Sequence, residues 1–155
     1  MKLLPLLALA LVTVANARFE ETREQCEKRY GKGTPQDKRP SAIQFSKNGI
    51  SIVAHFGQDG KCDHIEFKSA VGFNSDEVDY LVKVNAWARE PRRNGASPDD
   101  GIAQSWMAGK PGEYLAAVTE KWDRVIICNQ TGLEWNRKID GVGATKNPPK
   151  AVEGF

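Results

Sequence analysis

The chain has 155 residues, of which 40% are hydrophobic and 27% are charged, and its formal net charge at pH 7 is +2. A length of this order suits one domain of about 100–150 residues. Positive and negative residues are interspersed, so the charge gives no electrostatic basis for binding nucleic acid or an anionic membrane surface.

The first segment has the three parts of a secretory signal peptide. Met1-Lys2 is a short positive region, residues 3–14 form a mostly apolar run, and Ala15-Asn16-Ala17 is a cleavage site of small residues. The apolar run is shorter than the about 20 residues that cross a bilayer. We therefore expect residues 1–17 to be removed, the mature chain to begin at Arg18, and the protein to be periplasmic or secreted, without a transmembrane segment.

Three cysteines follow: Cys26, Cys62 and Cys128. Disulfides persist in oxidising compartments, so the predicted export allows one intramolecular bridge and leaves one thiol over. All three pairings stay open, and a bridge between Cys62 and Cys128 is one candidate. With so few cysteines, we expect the fold to depend on a hydrophobic core rather than on a disulfide framework.

The mature chain opens with a predicted short helix over residues 20–30. Cys26 and Tyr30 fall on one stripe of this helix, and charged side chains fill most of the rest. Gly31 and Pro35 follow directly, which is typical of a helix end.

The segment 42–68 predicts a three-stranded antiparallel meander, with turns at Lys47-Asn48-Gly49 and at Asp59-Gly60. A two-residue loop at Asp59-Gly60 pairs Ile52 with Phe67, whereas a four-residue loop pairs Ile52 with Ile65. Both registers place the alternating apolar side chains on one face. Those side chains are Ile50, Ile52, Ala54, Phe56, Ile65 and Phe67.

The second half predicts another helix and three more strands. The helix runs from Ser75 to about Ala86, with Asn74 or Ser75 as its cap. The stretch Arg89–Gly101 has no periodicity and is predicted to be a loop. The strands are Gln104–Ala108, Tyr114–Thr119 and Trp122–Cys128, and residues 132–155 are predicted to form a flexible tail.

These elements predict a single α+β domain over residues 18–131. We expect an antiparallel sheet of about six strands, in two three-stranded meanders, with two helices packed on one face. The order helix, three strands, helix, three strands suggests two halves, but no residue-level repeat connects them.

Part of the first half resembles a known pattern, carried by Tyr30-Gly31, Pro35 and the run from Gly60 to Phe67. A helix, Tyr-Gly, a proline, a hairpin and Gly-Lys-x-x-x-Ile are similar to small exported bacterial proteins of unknown function. Over residues 22–67 the chain also resembles the BamE-like (SmpA/OmlA) outer-membrane assembly lipoproteins and the related beta-lactamase-inhibitor-protein architecture. The lipid-carrying cysteine of the BamE-like family is absent, and Lys32-Gly33-Thr34 lengthens the spacing from glycine to proline. The resemblance implies helices over one face of an antiparallel sheet, and binding to other proteins without chemistry.

His55, Cys62 and His64 are predicted to lie together on the far face of the hairpin, while Asp63 is expected on the opposite face. Cβ atoms of directly opposed residues lie about 4.5–5.5 Å apart, and imidazole and thiolate are ligands of zinc or copper. The same side chains could form a thiol–histidine pair with Glu66 orienting an imidazole, although a hairpin surface offers no obvious oxyanion donors. The competing interpretation is a solvated or helix-covered outer face without chemistry.

The four tryptophans divide into two groups by their surroundings. Trp106 and Trp122 lie on predicted strands and are expected in the core. Trp87 and Trp135 lie beside predicted loops and are candidate anchors of a binding surface for another protein.

The sequence contains no phosphate-binding loop and no nucleophile elbow, and it implies no cofactor. It favours an exported non-enzymatic protein-binding or envelope-associated module, whose partner is an unidentified protein in the cell envelope or outside the cell. One alternative is a metal-binding or thiol-dependent enzyme that uses His55, Cys62 and His64. Another is a purely structural secreted domain.

Overall fold

Eight strands form one antiparallel sheet in the computed structural model, which describes residues 19–86 and 89–132. The strands are β1 (Thr34–Gln36), β2 (Arg39–Lys47), β3 (Ile50–Phe56), β4 (Cys62–Ser69), β5 (Arg92–Ser97), β6 (Ile102–Ala108), β7 (Tyr114–Thr119) and β8 (Arg124–Cys128). The helices are α1 (Arg23–Tyr30), α2 (Ser75–Asn85) and a 3-10 helix over Pro98–Asp100. Across the sheet the strand order is β1-β2-β3-β4-β8-β7-β6-β5.

The predicted architecture of about six strands in two three-stranded meanders, with two helices packed on one face, is wrong because the sheet has eight strands. The two strands missing from the prediction, β1 and β5, lie at the two edges. β5 falls inside the predicted loop Arg89–Gly101, and its sequence Arg-Arg-Asn-Gly-Ala-Ser has no apolar alternation. An edge strand is held by backbone hydrogen bonds to one neighbour, and charged or polar side chains protect its free side. Neither edge strand therefore leaves a hydrophobic pattern in the sequence.

One hydrophobic core cluster contains side chains from both α-helices and from β2, β3, β4, β6, β7 and β8. The helices contribute Cys26, Val78 and Val82. Tyr114 is fully buried, and its hydroxyl donates to the Val82 carbonyl at 2.7 Å. We call the sheet face that contributes to this cluster the core face, and the opposite face the open face.

α1 begins later than predicted because Thr22 is its N-cap. The Thr22 hydroxyl accepts from the Gln25 backbone N–H, and the Gln25 side chain accepts from the Thr22 backbone N–H. Ahead of the cap, Glu20 N–H donates to the Cys62 carbonyl, and Cys62 N–H donates to the Glu21 carbonyl, both at 2.8 Å. These bonds attach the start of α1 to β4.

α2 agrees with the predicted helix to within one residue at its end. Asn74 caps it, in a reciprocal pair of hydrogen bonds with Glu77. In the last turn Asn85 is fully buried, and its Oδ1 accepts from the Phe19 backbone N–H at 3.0 Å. This bond ties the beginning of the described chain to the end of α2.

Each half of the chain is a helix followed by a four-stranded meander, and the halves meet where β4 pairs with β8. The junction runs from the pair His64–Cys128 to the pair Lys68–Arg124. The sheet is therefore one continuous layer through both halves.

The predicted signal peptide and the predicted tail beyond Gly132 lie outside the described residues, as does Trp87. Within the described ranges, no helix has the length and apolar character that crossing a membrane requires.

Candidate functional site

The β3–β4 hairpin positions most of the side chains that the sequence singles out. Ile52 pairs with Phe67, and His55 pairs with His64. This is the register predicted for a two-residue loop at Asp59-Gly60.

The loop itself is one residue longer, because Gly57 N–H donates to the Lys61 carbonyl at 2.8 Å and encloses three residues. A β-bulge compensates for the extra loop residue. Phe56 pairs with Cys62, so that Asp63 has no partner opposite it on β3. A bulge of this kind redirects the side chains that follow the turn.

The bulge exchanges the expected directions of two side chains. Asp63 shares the open face with His55, and its Oδ1 lies 2.5 Å from His55 Nδ1. Cys62 instead belongs to the hydrophobic core cluster, where it is 1% exposed. The expectation that Asp63 points to the opposite face from His55 is therefore wrong.

The close approach of Asp63 to His55 depends on a glycine at the start of the loop. A Cβ built on Gly57 would lie 2.9 Å from Asp63 Oδ2. Since real Cβ atoms do not approach an oxygen so closely without a shift of the neighbour, a side chain at this position would displace the Asp63 carboxylate.

The His55–Asp63 pair is buried, with side-chain exposures of 7% and 10%. A carboxylate at Nδ1 fixes the orientation of the ring and favours the tautomer whose other nitrogen, Nε2, accepts hydrogen bonds. That arrangement orients a histidine as a general base, but the chemistry also needs a nucleophile within hydrogen-bond reach.

The environment of Cys62 is unfavourable for that role. Its Sγ donates to the His64 carbonyl at 3.3 Å. Burial, followed by the neighbouring Cys26, raises the pKa of the Cys62 thiol well above its usual value. A thiol that is held protonated is a poor nucleophile, because the thiolate is the attacking species.

The described part of the chain contains no group of three or more His, Cys, Asp or Glu side chains arranged to hold a metal ion. Of the predicted ligands, His55 and His64 are neighbours on the open face, and Cys62 is turned to the core face. Metal binding by these three residues stays a prediction.

A cleft of about 900 Å³ lies at the loop end of the hairpin. The His55–Asp63 pair lines it, together with Ser41, Phe56 and Lys61. Most of the lining residues are polar or carry charges of either sign.

The open face carries a second feature, a row of laterally paired side chains that crosses six strands. From β2 to β6 the row contains Gln44, Val53, Glu66, Ile126, Ala117 and Ser105. All of them except the exposed Gln44 are half-buried. We call this set the central row.

A second row runs beside the central row, nearer the cleft. It contains Ala42, His55, His64, Cys128, Leu115 and Met107. The first four are buried, whereas Leu115 and Met107 are half-buried. On the other side of the central row, Arg124 Nε lies 3.5 Å from Glu66 Oε1, an ion pair without an aligned hydrogen bond.

The tryptophans that are described lie in or against the core. Trp106 is 4% exposed, and Trp122 is partly buried against the core cluster. Trp87 and Trp135, the predicted binding-surface anchors, lie outside the described residues.

The sequence analysis missed the central row, although its signal is present. Strict alternation along β3 places Val53 on the face opposite Ile52, and alternation along β8 does the same for Ile126. Apolar residues at positions that face away from the core were the signal from which this row could have been predicted. The lateral alignment of these residues depends on the β4–β8 pairing, which no local pattern specifies.

Comparison of the chain with protein-family models, curated proteins and solved structures gives no match.

Proposed function

We propose that this chain is an exported, non-enzymatic module that binds another protein through the open face of its sheet. Export is supported by the signal-peptide pattern of residues 1–17. A protein partner, in the envelope or outside the cell, is favoured over nucleic acid by the nearly balanced charge, 22 basic against 20 acidic residues.

The observation that carries the proposal is the apolar character of outward positions at the middle of the sheet. A sheet that covers a core on one face commonly has polar side chains on the other. Here Val53 and Ile126 in the central row, and Leu115 beside it, are apolar and only half-buried. Glu66 separates Val53 from Ile126 in the row. Apolar side chains that water reaches, grouped with polar ones on one face, are typical of an interaction surface.

The setting of these side chains also favours binding. They project from strands that are hydrogen-bonded on both sides. Their backbone is therefore already ordered, which lowers the entropy lost on association. Glu66, Lys68 and Arg124 border the apolar positions, and such charges contribute more to orientation and specificity than to affinity.

The experiment compares two variants, each of which replaces one β-branched apolar residue by lysine. Ile126→Lys places a charge in the central row, whereas Val71→Lys changes a side chain that is 97% exposed in a loop. The chain and both variants are immobilised and exposed to envelope extract. Any protein retained is identified by mass spectrometry, and its Kd is then measured with the purified components.

We expect Ile126→Lys to weaken the Kd at least about 10-fold, or about 1.4 kcal/mol, with the Val71→Lys variant unchanged. Circular dichroism of both variants verifies that the sheet is intact. Equal affinity of the two variants would contradict the open face as the binding surface. Retention of no protein by any form would favour the purely structural secreted domain.

A further inference from the structure

The two faces of the sheet separate the three cysteines. Cys26 of α1 and Cys62 of β4 both belong to the core cluster. Cys128 pairs laterally with His64 and Leu115, which places it on the open face. All three carry thiols in the structure.

The backbone brings Cys26 and Cys62 to the same place in the core. Thr22 forms a β-bridge with Lys61, immediately before Cys62. Cys26 lies one helical turn further along, with its N–H donating to the Thr22 carbonyl at 3.0 Å. Helical side chains lean toward the N-terminus of their helix, so the Cys26 side chain covers the turn that lies against Cys62.

The two thiols also share an environment. Both are essentially without solvent contact, at 0% and 1% exposure. Burial and then Glu21 raise the pKa of Cys26 to about 12, and the Cys26 side chain is the second cause of the raised pKa of Cys62. This effect of Cys26 on Cys62 agrees with the proximity that the backbone bonds indicate.

We propose that Cys26 and Cys62 form the intramolecular disulfide of this protein, and that Cys128 is the thiol left over. The bond would lock α1 and the segment before it onto β4. Its formation in the cell rests on the proposed export, because only an oxidising compartment maintains such a bond.

Formation of the Cys26–Cys62 bond needs a disulfide as the oxidant, either glutathione disulfide or a protein disulfide. One cysteine thiolate attacks the oxidant, which releases one reduced thiol and leaves a mixed disulfide on the chain. The second cysteine thiolate attacks the mixed disulfide, forms the Cys26–Cys62 bond and releases the second reduced thiol. Two S–H bonds are lost from the protein, and two electrons and two protons pass to the oxidant.

Burial of the two thiols determines when the disulfide can form. Since the thiolate is the attacking species, two thiols held protonated inside the core react slowly in the folded state. The bond is therefore expected to form while the chain is folding, and the test begins from unfolded protein.

The purified chain is reduced, unfolded in urea and refolded in a mixture of reduced and oxidised glutathione. Remaining thiols are alkylated under denaturing conditions, and the protein is digested with trypsin. The three cysteines then fall in separate peptides, Glu24–Lys28, Cys62–Lys68 and Val125–Arg137. We expect one alkylated thiol per chain, at Cys128, and a cross-link between the other two peptides.

Three variants make the assignment specific. Cys128→Ser keeps the cross-link and leaves no thiol to alkylate, whereas Cys26→Ala and Cys62→Ala each lose it. In the wild-type chain the urea midpoint falls when the bond is reduced, and in Cys26→Ala it does not respond to reductant. Three alkylated thiols after refolding, or a cross-link that contains Val125–Arg137, would overturn the proposal. Because refolding is carried out in vitro, either result is independent of whether the protein is exported.

Discussion

At the scale of single residues, burial decides the properties of the Cys26 thiol. The side chain is 0% exposed, and burial followed by the nearby Glu21 raises its pKa from 9.0 to about 12. The unfolded chain releases this proton at lower pH than the folded protein does. The resulting contribution to stability is complete below about pH 9 and is lost as the pH rises toward the folded-state pKa.

We therefore expect the reduced protein to lose stability between about pH 9 and about pH 12, by up to about 1.4 kcal/mol per pH unit for each such proton. In Cys26→Ala we expect the free energy of unfolding to fall less steeply with pH, because one titrating group is absent. Urea unfolding in the presence of reductant measures it, with Val82→Ala as a control that removes buried atoms without removing a titrating group. If the free energy of unfolding changed equally with pH in Cys26→Ala and in the wild type, the raised pKa of Cys26 would be contradicted.

At the scale of elements, the β3–β4 hairpin shows how one bulge changes the chemistry of a surface. Without it, alternation would place Cys62 beside His55 and Asp63 in the core. With it, a thiol enters the core and a carboxylate reaches an imidazole. Both residues are buried, but Asp63 is paired there with the ionisable ring of His55. The exchange resolves a conflict, because a thiol is much less costly than a carboxylate to place among apolar side chains.

Removal of the Asp63 carboxylate tests how much its contact with His55 stabilises the hairpin. Asp63→Ala takes away the acceptor that His55 Nδ1 contacts, inside a region where the loss of a partner costs about 1–3 kcal/mol. We expect a loss of that size in the free energy of unfolding, and a change in the ring-nitrogen NMR signals of His55. Asp37→Ala, in an exposed turn, is the matched control. A loss below about 0.5 kcal/mol, the range of ordinary surface substitutions, would show that the contact contributes little.

At the scale of the whole molecule, the pairing of β4 with β8 joins two four-stranded halves through a shared core. Ile65 and Ile127 pair across this junction, and both are 0% exposed. A core that spans both halves predicts that they unfold together in one transition.

Adjacent residues of β8 provide a matched pair of variants for that prediction. Ile127→Ala removes a fully buried side chain and should cost about 2–5 kcal/mol, whereas Ile126→Ala, on the open face, should cost less. Tryptophan fluorescence reports the half that holds Trp106 and Trp122, and amide exchange in β3 reports the other half. Separate midpoints for the two probes in Ile127→Ala would contradict a single cooperative unit.

Much of the element layout is readable from local patterns. Apolar spacing predicts both α-helices, and a capping residue predicts the start of α2. The six predicted strands are the six that contribute to the core. The two edge strands escape prediction because they bury almost nothing. In the site, alternation correctly places His55 and His64 as neighbours, and it fails for Cys62 and Asp63 because a bulge interrupts the period of two.

The amino-acid sequence by itself determined where helices and core strands form, since caps, turns and apolar periodicity act over a few neighbouring residues. Only the tertiary structure decided that β4 meets β8, that the central row is continuous, and that Cys26 and Cys62 enter the same core cluster. Those contacts join residues far apart in the chain, and their energy depends on which surfaces are buried together, a property that no local pattern contains.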